Sequence, residues 1–239
     1  MTPFLIAIVV FVAAFLQSLS GFGFAVIIMP LITLMVGLQT AAPLVATIAL
    51  TVYTINVIRF RHAINRDEVL RLAAASAFGV PVGIWVLANV NETVVKAVLG
   101  LLLVTFALYG LLRPTANWAL SRQWVYPTGF VAGCLGGAYN TPGPPAIVYG
   151  SLRQWPRDEF RAAMQTLFLV NAMLVVTSHF LTHNLTVEVL SLYLYAVPAL
   201  ALGILLAARM DSKVDRRRFR TLVNVMVLLL GALLLLGVG

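Results

Sequence analysis

The chain has 239 residues, of which 61% are hydrophobic and only 10% are charged, and its formal net charge is +8. Soluble domains carry about 25% charged residues, so this composition excludes a soluble globular fold and predicts an all-α polytopic membrane protein. In such a protein the excess of Lys and Arg favours cytoplasmic loops and contact with anionic lipid over nucleic-acid binding.

Apolar segments that could span or enter a bilayer follow one another along the whole chain. We expect membrane segments at 4–20, 21–36, 40–58, 69–88, 94–112, 124–139, 144–152, 160–182, 188–208 and 220–238. Two of them differ from an ordinary crossing helix, which needs about 20 apolar residues. The second segment opens with a Gly-Phe-Gly sequence, and the seventh is short and follows an Asn-Thr-Pro-Gly-Pro-Pro sequence. Breaks of this kind are tolerated at membrane depth where the backbone is buried in protein or lines a cavity.

The basic residues predict the orientation of the chain. All of the 16 Lys and Arg residues except Lys96 fall in four clusters, at 59–71, at 113 with 122, at 153–161 and at 209–220. Short cytoplasmic loops of membrane proteins carry an excess of Lys and Arg. We therefore expect a multi-pass protein of the bacterial inner membrane, with these clusters in the cytoplasm and both termini on the extracytoplasmic side.

The chain divides into two halves of similar sequence, 1–113 and 123–239. Residues that align between the halves are Gly23 with Gly143, Gly83 with Gly203, Thr51 with Thr166 and Asn56 with Asn171. The loop charges of the halves are inverted, because the basic loop at 59–71 corresponds to a turn at 183–187 that has no Lys or Arg. Similar halves with inverted charge indicate an inverted-topology repeat. Each half is expected to contain one broken, re-entrant hairpin and three transmembrane helices.

The tips of the two hairpins are the strongest candidates for a binding site. In an inverted repeat the tips approach each other near the midplane, where helix N-termini offer N–H groups and partial positive charge to an anion, without a buried Arg. Residues predicted to contact substrate are Ser20, Gly21, Phe22, Gly23, Thr51, Asn56, Asn140, Thr141, Pro142, Gly143, Thr166 and Asn171. The alternative is that the glycines only allow close helix packing and the buried amides only hold helices together.

The sequence offers few side chains for catalysis, metal binding or proton transfer at membrane depth. The eight Asp and Glu residues lie in or beside loops, and the three His residues lack the spacing of a metal-binding helix. An enzyme at membrane depth would keep carboxylates or clustered His there, so we predict no catalytic residue, no metal site and no cofactor. His179 is a possible proton site, and an interfacial His without that role is the alternative.

The hairpin tips also resemble a known family. The stretch from Ser20 to Phe24 with Pro30, and the Gly/Pro-rich stretch at 136–145 with Tyr149, resemble the two glycine-rich motifs of the TauE/SafE family. The similarity covers nearly the whole chain. It implies a carrier associated with export or uptake of sulfite and organosulfonates. The chain departs from the family pattern at Phe24, where a third glycine is common, and at Pro142, where adjacent glycines are usual.

Composition and resemblance together predict a secondary transporter that exports a small anion, most simply sulfite or an organosulfonate. Because the departures lie where ligand would bind, a small carboxylate stays open as substrate. A membrane-embedded enzyme or assembly factor is the alternative of another class. The expected partners are the anionic substrate, anionic lipid at the basic loops and a second copy in a homo-oligomer.

Overall fold

The computed structural model describes residues 2–112 and 120–210, and residues 221, 225, 228, 229, 231, 232, 235 and 236. Its α-helices are α1 (Thr2–Ser20), α2 (Phe24–Val36), α3 (Leu38–Phe60), α4 (Arg66–Asn89), α5 (Glu92–Leu112), α6 (Val125–Tyr139), α7 (Gly143–Leu152), α8 (Arg157–Leu181) and α9 (Val187–Met210). Two 3-10 turns, Arg61–Ala63 and Arg122–Trp124, complete the described elements, among which there is no strand. The all-α class is confirmed, and each predicted segment up to 188–208 corresponds to one helix. The last predicted segment, 220–238, lies mostly outside the described residues.

Several of these helices have the length and composition of membrane spans. Among the described residues, four are long and apolar enough to cross a bilayer: Leu38–Ala63, Arg66–Val86, Asp158–Leu181 and Val187–Met210. Large apolar side chains on their outer faces are exposed, with Phe78 at 77% and Leu194 at 68%. A surface of this kind requires acyl chains to cover it. The chain is therefore a polytopic membrane protein.

Both helix breaks occur where the sequence predicts them. The first lies between α1 and α2, where Gly21 and Gly23 have φ angles of 86° and 102° that favour glycine over any residue with a Cβ. The second lies between α6 and α7, where Asn140 ends α6 with a φ of 56°. Asn tolerates the left-handed region better than most residues. Prolines in the first turn of α7 suit that position, where a backbone N–H has no intrahelical partner.

Glycines allow α4 and α6 to pack at backbone contact. A Cβ on Gly83 would lie 2.0 Å from the carbonyl oxygen of Cys134, and one on Gly133 would lie 2.1 Å from the carbonyl oxygen of Ser76. Larger residues at these positions would force the two backbones apart. The two helices consequently form a closely packed pair that provides a fixed frame for their neighbours.

The packing of the first half corresponds to that of the second. α1 packs on α9 as α6 packs on α4, α2 packs on α3 as α7 packs on α8, and α3 packs against α8 between the halves. The aligned glycines follow this correspondence: Gly83 meets the backbone of α6, and Gly203 meets the backbone of α1 at the carbonyl oxygen of Phe11. A two-fold repeat would have this arrangement of helix pairs. The opposite orientation of the halves in the membrane remains a prediction.

Candidate functional site

The second break is attached to α3 through the side chain of Asn140. Its Nδ2 donates to the carbonyl oxygen of Ala42 at 3.0 Å, and the side chain is 8% exposed. The backbone N–H of Thr141 donates to the carbonyl oxygen of Leu135 at 3.2 Å. The Thr141 hydroxyl is buried and has no hydrogen-bond partner in the protein. This tip is therefore held by hydrogen bonds to α3 and to α6, and one buried hydroxyl keeps its hydrogen-bonding capacity free.

A narrow cavity of about 10 Å³ lies between this tip, α3 and α8. Its lining residues are Ala49, Tyr53, Gly136, Asn140, Pro142, Phe168, Asn171, Ala172 and Val175. A cavity needs about 10–15 Å³ to hold one water molecule, so this cavity has room for about one water and must widen to admit an anion. The described lining is uncharged, and its polar side-chain groups are two amides and one phenol.

Asn171 presents an unpaired acceptor to this region. Its Nδ2 donates to Oγ of Ser76 at 2.8 Å and to the carbonyl oxygen of Leu167 at 2.9 Å, which uses both N–H bonds and determines the orientation of the amide. The Oδ1 atom is buried without a hydrogen-bond partner in the protein. A Cβ on Gly136 would lie 2.3 Å from this oxygen, so glycine is required there. The cavity can therefore accept a hydrogen bond from a ligand.

The first break is held by two glutamines that the sequence pattern does not single out. Oε1 of Gln17 accepts a hydrogen bond from the backbone N–H of Phe24 at 2.9 Å, and Nε2 of Gln165 donates to the carbonyl oxygen of Gly21 at 2.7 Å. Both glutamines are fully buried. The first N–H of α2 is thus satisfied by the protein itself. The signal for these residues is a polar amide in an otherwise apolar helical segment.

A buried arginine also lies beside the first tip. Arg161 is 4% exposed, its Nη2 donates to the carbonyl oxygen of Leu19, and its guanidinium lies 5.5 Å from the ring centroid of Phe60. A Cβ on Gly21 would come within 2.9 Å of Cγ of Arg161. The expectation of tips without a buried Arg is therefore wrong. The reason is the register of α8, which directs this residue of a basic cluster at the tip.

Aromatic rings connect the two tips through α3. The Tyr53 ring lies 6.2 Å from that of Phe24 at the start of α2, and 5.2 Å from that of Phe168 in the cavity lining, between ring centroids. Along α8 the first tip contacts Arg161 and Gln165, whereas the cavity contacts residues from Phe168 onward. At 1.5 Å per residue, the two tips meet α8 at levels about 10 Å apart.

The predicted site residues separate into two groups. Asn140, Pro142 and Asn171 share the cavity lining, and Thr141 and Gly143 adjoin them in the chain. The residues that are not among the lining are Ser20, Gly21, Phe22, Gly23, Thr51, Asn56, Thr166 and His179.

The crossing-helix residues outside the cavity have other surroundings. Oγ1 of Thr51 lies 2.9 Å from the Tyr193 hydroxyl on α9, and Oγ1 of Thr166 donates to the carbonyl oxygen of Ala162 in its own helix. Asn56 is fully buried, and neither polar atom of its amide has a hydrogen-bond partner in the protein. Nδ1 of His179 lies 3.3 Å from Nδ2 of Asn184, at the far end of α8.

Membrane-spanning helices with a broken helix beside a small buried cavity are the arrangement typical of a polytopic membrane protein of the transporter class. The chain belongs to the family described as Sulfite exporter TauE/SafE, whose model matches residues 6–234. No curated protein and no solved structure matches the chain significantly. The resemblance seen in the sequence is confirmed.

The role of Asn171 in substrate binding can be tested by comparison with a variant of Ser76, its hydrogen-bond partner. Asn171→Ala removes the cavity acceptor together with the helix contact, and we expect it to weaken substrate binding by about 1–3 kcal/mol. Ser76→Ala removes the bond between α4 and α8 but leaves Oδ1 in place. We expect that variant to bind substrate nearly as the wild type does. The concentration dependence of flux into proteoliposomes measures both, and equal losses would reduce Asn171 to a packing role.

Proposed function

We propose that this protein is a secondary transporter that moves a small anion, sulfite or an organosulfonate, out of the cell. Family membership supports the transport of an anion of this class. The observation that carries the proposal is the small buried cavity at the second helix break, whose mostly apolar, uncharged lining includes two amides and one phenol. Once the cavity has widened, fixed neutral dipoles can hold an anion there. They lack the tight pairing that an adjacent buried cation would impose, and so they permit its release.

The cavity and the adjoining start of α7 offer hydrogen-bond donors and one acceptor, Oδ1 of Asn171, that has no partner in the protein. The N-terminus of α7 carries partial positive charge, and Gly143 is the first-turn residue that retains its N–H before Pro144 and Pro145. Tyr53 contributes a hydroxyl, and Asn171 contributes its unpaired oxygen. This set matches an oxyanion that also carries a donor, such as a monoprotonated sulfite or a sulfonate with an ammonium or hydroxyl group.

A small carboxylate is the second candidate, and the cavity discriminates against it. A simple carboxylate has no proton to donate, so Oδ1 of Asn171 would remain unpaired. Leaving a buried polar group unsatisfied costs about 1–3 kcal/mol. The unpaired oxygen consequently supports an oxyanion that carries a donor, such as monoprotonated sulfite, over acetate or propionate.

The membrane arrangement is part of the proposal. The two halves are proposed to form an inverted repeat, with the basic loops in the cytoplasm against anionic lipid and both termini outside, in the bacterial inner membrane. The clustering of Lys and Arg supports this orientation.

Single cysteines at residues 2 and 238 should then react with an impermeant thiol reagent from outside. Labelling only after the membrane is opened would reverse the assignment.

Transport of defined anions by the purified protein tests the function. Proteoliposomes are loaded with sulfite, taurine, methanesulfonate, acetate or propionate, and efflux is compared with that of protein-free vesicles. We expect sulfite or a donor-bearing sulfonate to leave faster than either carboxylate by about tenfold, which corresponds to about 1.4 kcal/mol. Equal efflux of all five anions, or efflux of the carboxylates alone, would contradict the proposal.

A further inference from the structure

Glu68 is a buried carboxylate that the cavity does not use. It lies in the first turn of α4 and is only 3% exposed. Its oxygens accept hydrogen bonds from the Tyr149 hydroxyl at 2.6 Å, from Nε of Arg153 at 3.1 Å and from Nε1 of Trp155 at 3.3 Å. All three donors belong to the last turn of α7 or to the turn that follows it. Glu68 thus ties the end of α7 to α4.

The chain after α7 is folded back so that its donors form one unit. The backbone N–H of Trp155 donates to the carbonyl oxygen of Gly150 at 3.1 Å, and the Trp155 and Tyr149 rings meet edge to face at 5.5 Å. A Cβ on Gly150 would lie 2.7 Å from the Trp155 ring, so glycine is needed for this contact. The end of α7 and its following turn therefore move together.

α7 connects this unit to the cavity. The helix has 10 residues, a length of about 15 Å, and begins at Gly143 directly after Pro142 of the cavity lining. Because α4 is packed on α6 at backbone contact, Glu68 holds α7 against a fixed frame. A displacement of the end of α7 would be transmitted along the helix to the second tip.

Among the described residues, the outer face of α7 borders a groove. Pro144, Pro145, Val148 and Leu152 line an apolar groove of about 560 Å³ between α5, α6 and α7. A helix that borders such a groove can shift sideways with little loss of protein contact once its end is released. In the other half the aligned acid, Glu188 in the first turn of α9, is exposed. A buried carboxylate in this place is thus a feature of one half.

We propose that Glu68 is a positioning residue for the transport site. Its hydrogen bonds to Tyr149, Arg153 and Trp155, here called the latch, hold the end of α7 and so keep the second tip in the closed cavity. When the latch opens, α7 moves into the groove and the cavity opens toward the side of the basic loops. The inference rests on the proposed function in one respect, namely that the cavity is the transport site.

Accessibility of the second tip to a thiol reagent tests the latch. In a Cys134→Ser background, a Thr141→Cys substitution places a buried thiol at the tip. Adding Glu68→Gln weakens the latch. Asp67→Asn is the matched control, because Asp67 is the adjacent, half-exposed acid, which pairs with Arg71 and Arg122 and not with α7. Membrane vesicles of both orientations are treated with an impermeant maleimide. We expect Glu68→Gln to accelerate labelling at least fivefold from the side of the basic loops, and Asp67→Asn to leave it within twofold.

The inference is overturned if Glu68→Gln does not accelerate labelling, or if Asp67→Asn accelerates it equally. If Glu68→Gln fails to accumulate in the membrane, Tyr149→Phe removes one donor from the latch and should accelerate labelling about twofold to threefold; no acceleration again overturns it. Because labelling needs no substrate, it is independent of the proposed transport. Absence of anion flux in the wild type would defeat the proposed function alone, and unchanged labelling would defeat the latch alone.

Discussion

Replacing Gly143 with Leu is expected to abolish anion transport while the protein still inserts and folds. A Cβ on Gly143 would lie 3.4 Å from Cζ of Phe168 and 3.4 Å from Cδ1 of Ile147, which is ordinary contact. The remaining carbons of Leu would have to displace the Phe168 ring, which lines the cavity. Overpacking costs about 1–3 kcal/mol, and the substrate must overcome it as well as the lost volume. We therefore expect flux to fall by about 100-fold or more.

Gly143→Ala is the matched control for this prediction. Its methyl group occupies the Cβ position, which the neighbouring side chains already accommodate. We expect the Ala variant to retain flux within about tenfold of the wild type, a difference below 1.4 kcal/mol. Efflux from proteoliposomes, normalised to protein that elutes as a single species in detergent, measures both variants. A Leu variant that transports as well as the Ala variant would exclude the second tip as the site.

Anion flux is expected to follow the membrane potential. The described cavity lining carries no charge to neutralise the substrate, so a singly charged anion crosses together with its charge. Each negative charge leaving a negative interior gains about 2.3 kcal/mol per 100 mV. This energy sustains about a fifty-fold concentration gradient, so the potential alone is sufficient for export. Uptake of the same anion would need a co-ion.

A potential imposed without a pH gradient separates this mechanism from proton coupling. We expect efflux from proteoliposomes to rise at least about tenfold when 100 mV, negative inside, is imposed, because about 2.3 kcal/mol then favours exit. His179→Gln should change little, since His179 contacts Asn184 and lies eight residues, about 12 Å, along α8 from Asn171. Flux that ignores the potential and follows a pH gradient, with that response lost in His179→Gln, would make His179 the proton carrier.

The positions of the helices and of both breaks are properties of the local sequence. Apolar length specifies a membrane helix, because backbone groups in lipid have to be satisfied within the segment. Gly21 and Gly23 at the first break, and Asn140 at the second, adopt left-handed backbone conformations that few other residues tolerate. These features need no knowledge of neighbouring helices, and the structure has them where the sequence predicts them.

The candidate site was only partly predictable, because residue type does not reveal which face of a helix meets which partner. Asn140 and Asn171 are polar residues at a break and in an apolar helix, and they share the cavity. Thr51 is likewise a polar residue in an apolar helix, but its hydroxyl lies beside Tyr193 on α9. Tyr53 and Phe168 line the cavity although nothing in their local sequence distinguishes them from residues that face lipid.

The sequence by itself determined the class of protein, the course of the helices, the two breaks and the family. The tertiary structure decided which residues meet: that Gln17 and Gln165 hold the first tip, that Arg161 is buried beside it, and that Glu68 binds the end of α7. Gln165 and Gly21 lie 144 positions apart, and Glu68 and Tyr149 lie 81 apart. Local periodicity shows only that such a residue is on a helix. Its partner depends on how that helix is rotated and shifted against others, which is set by close packing of the whole bundle.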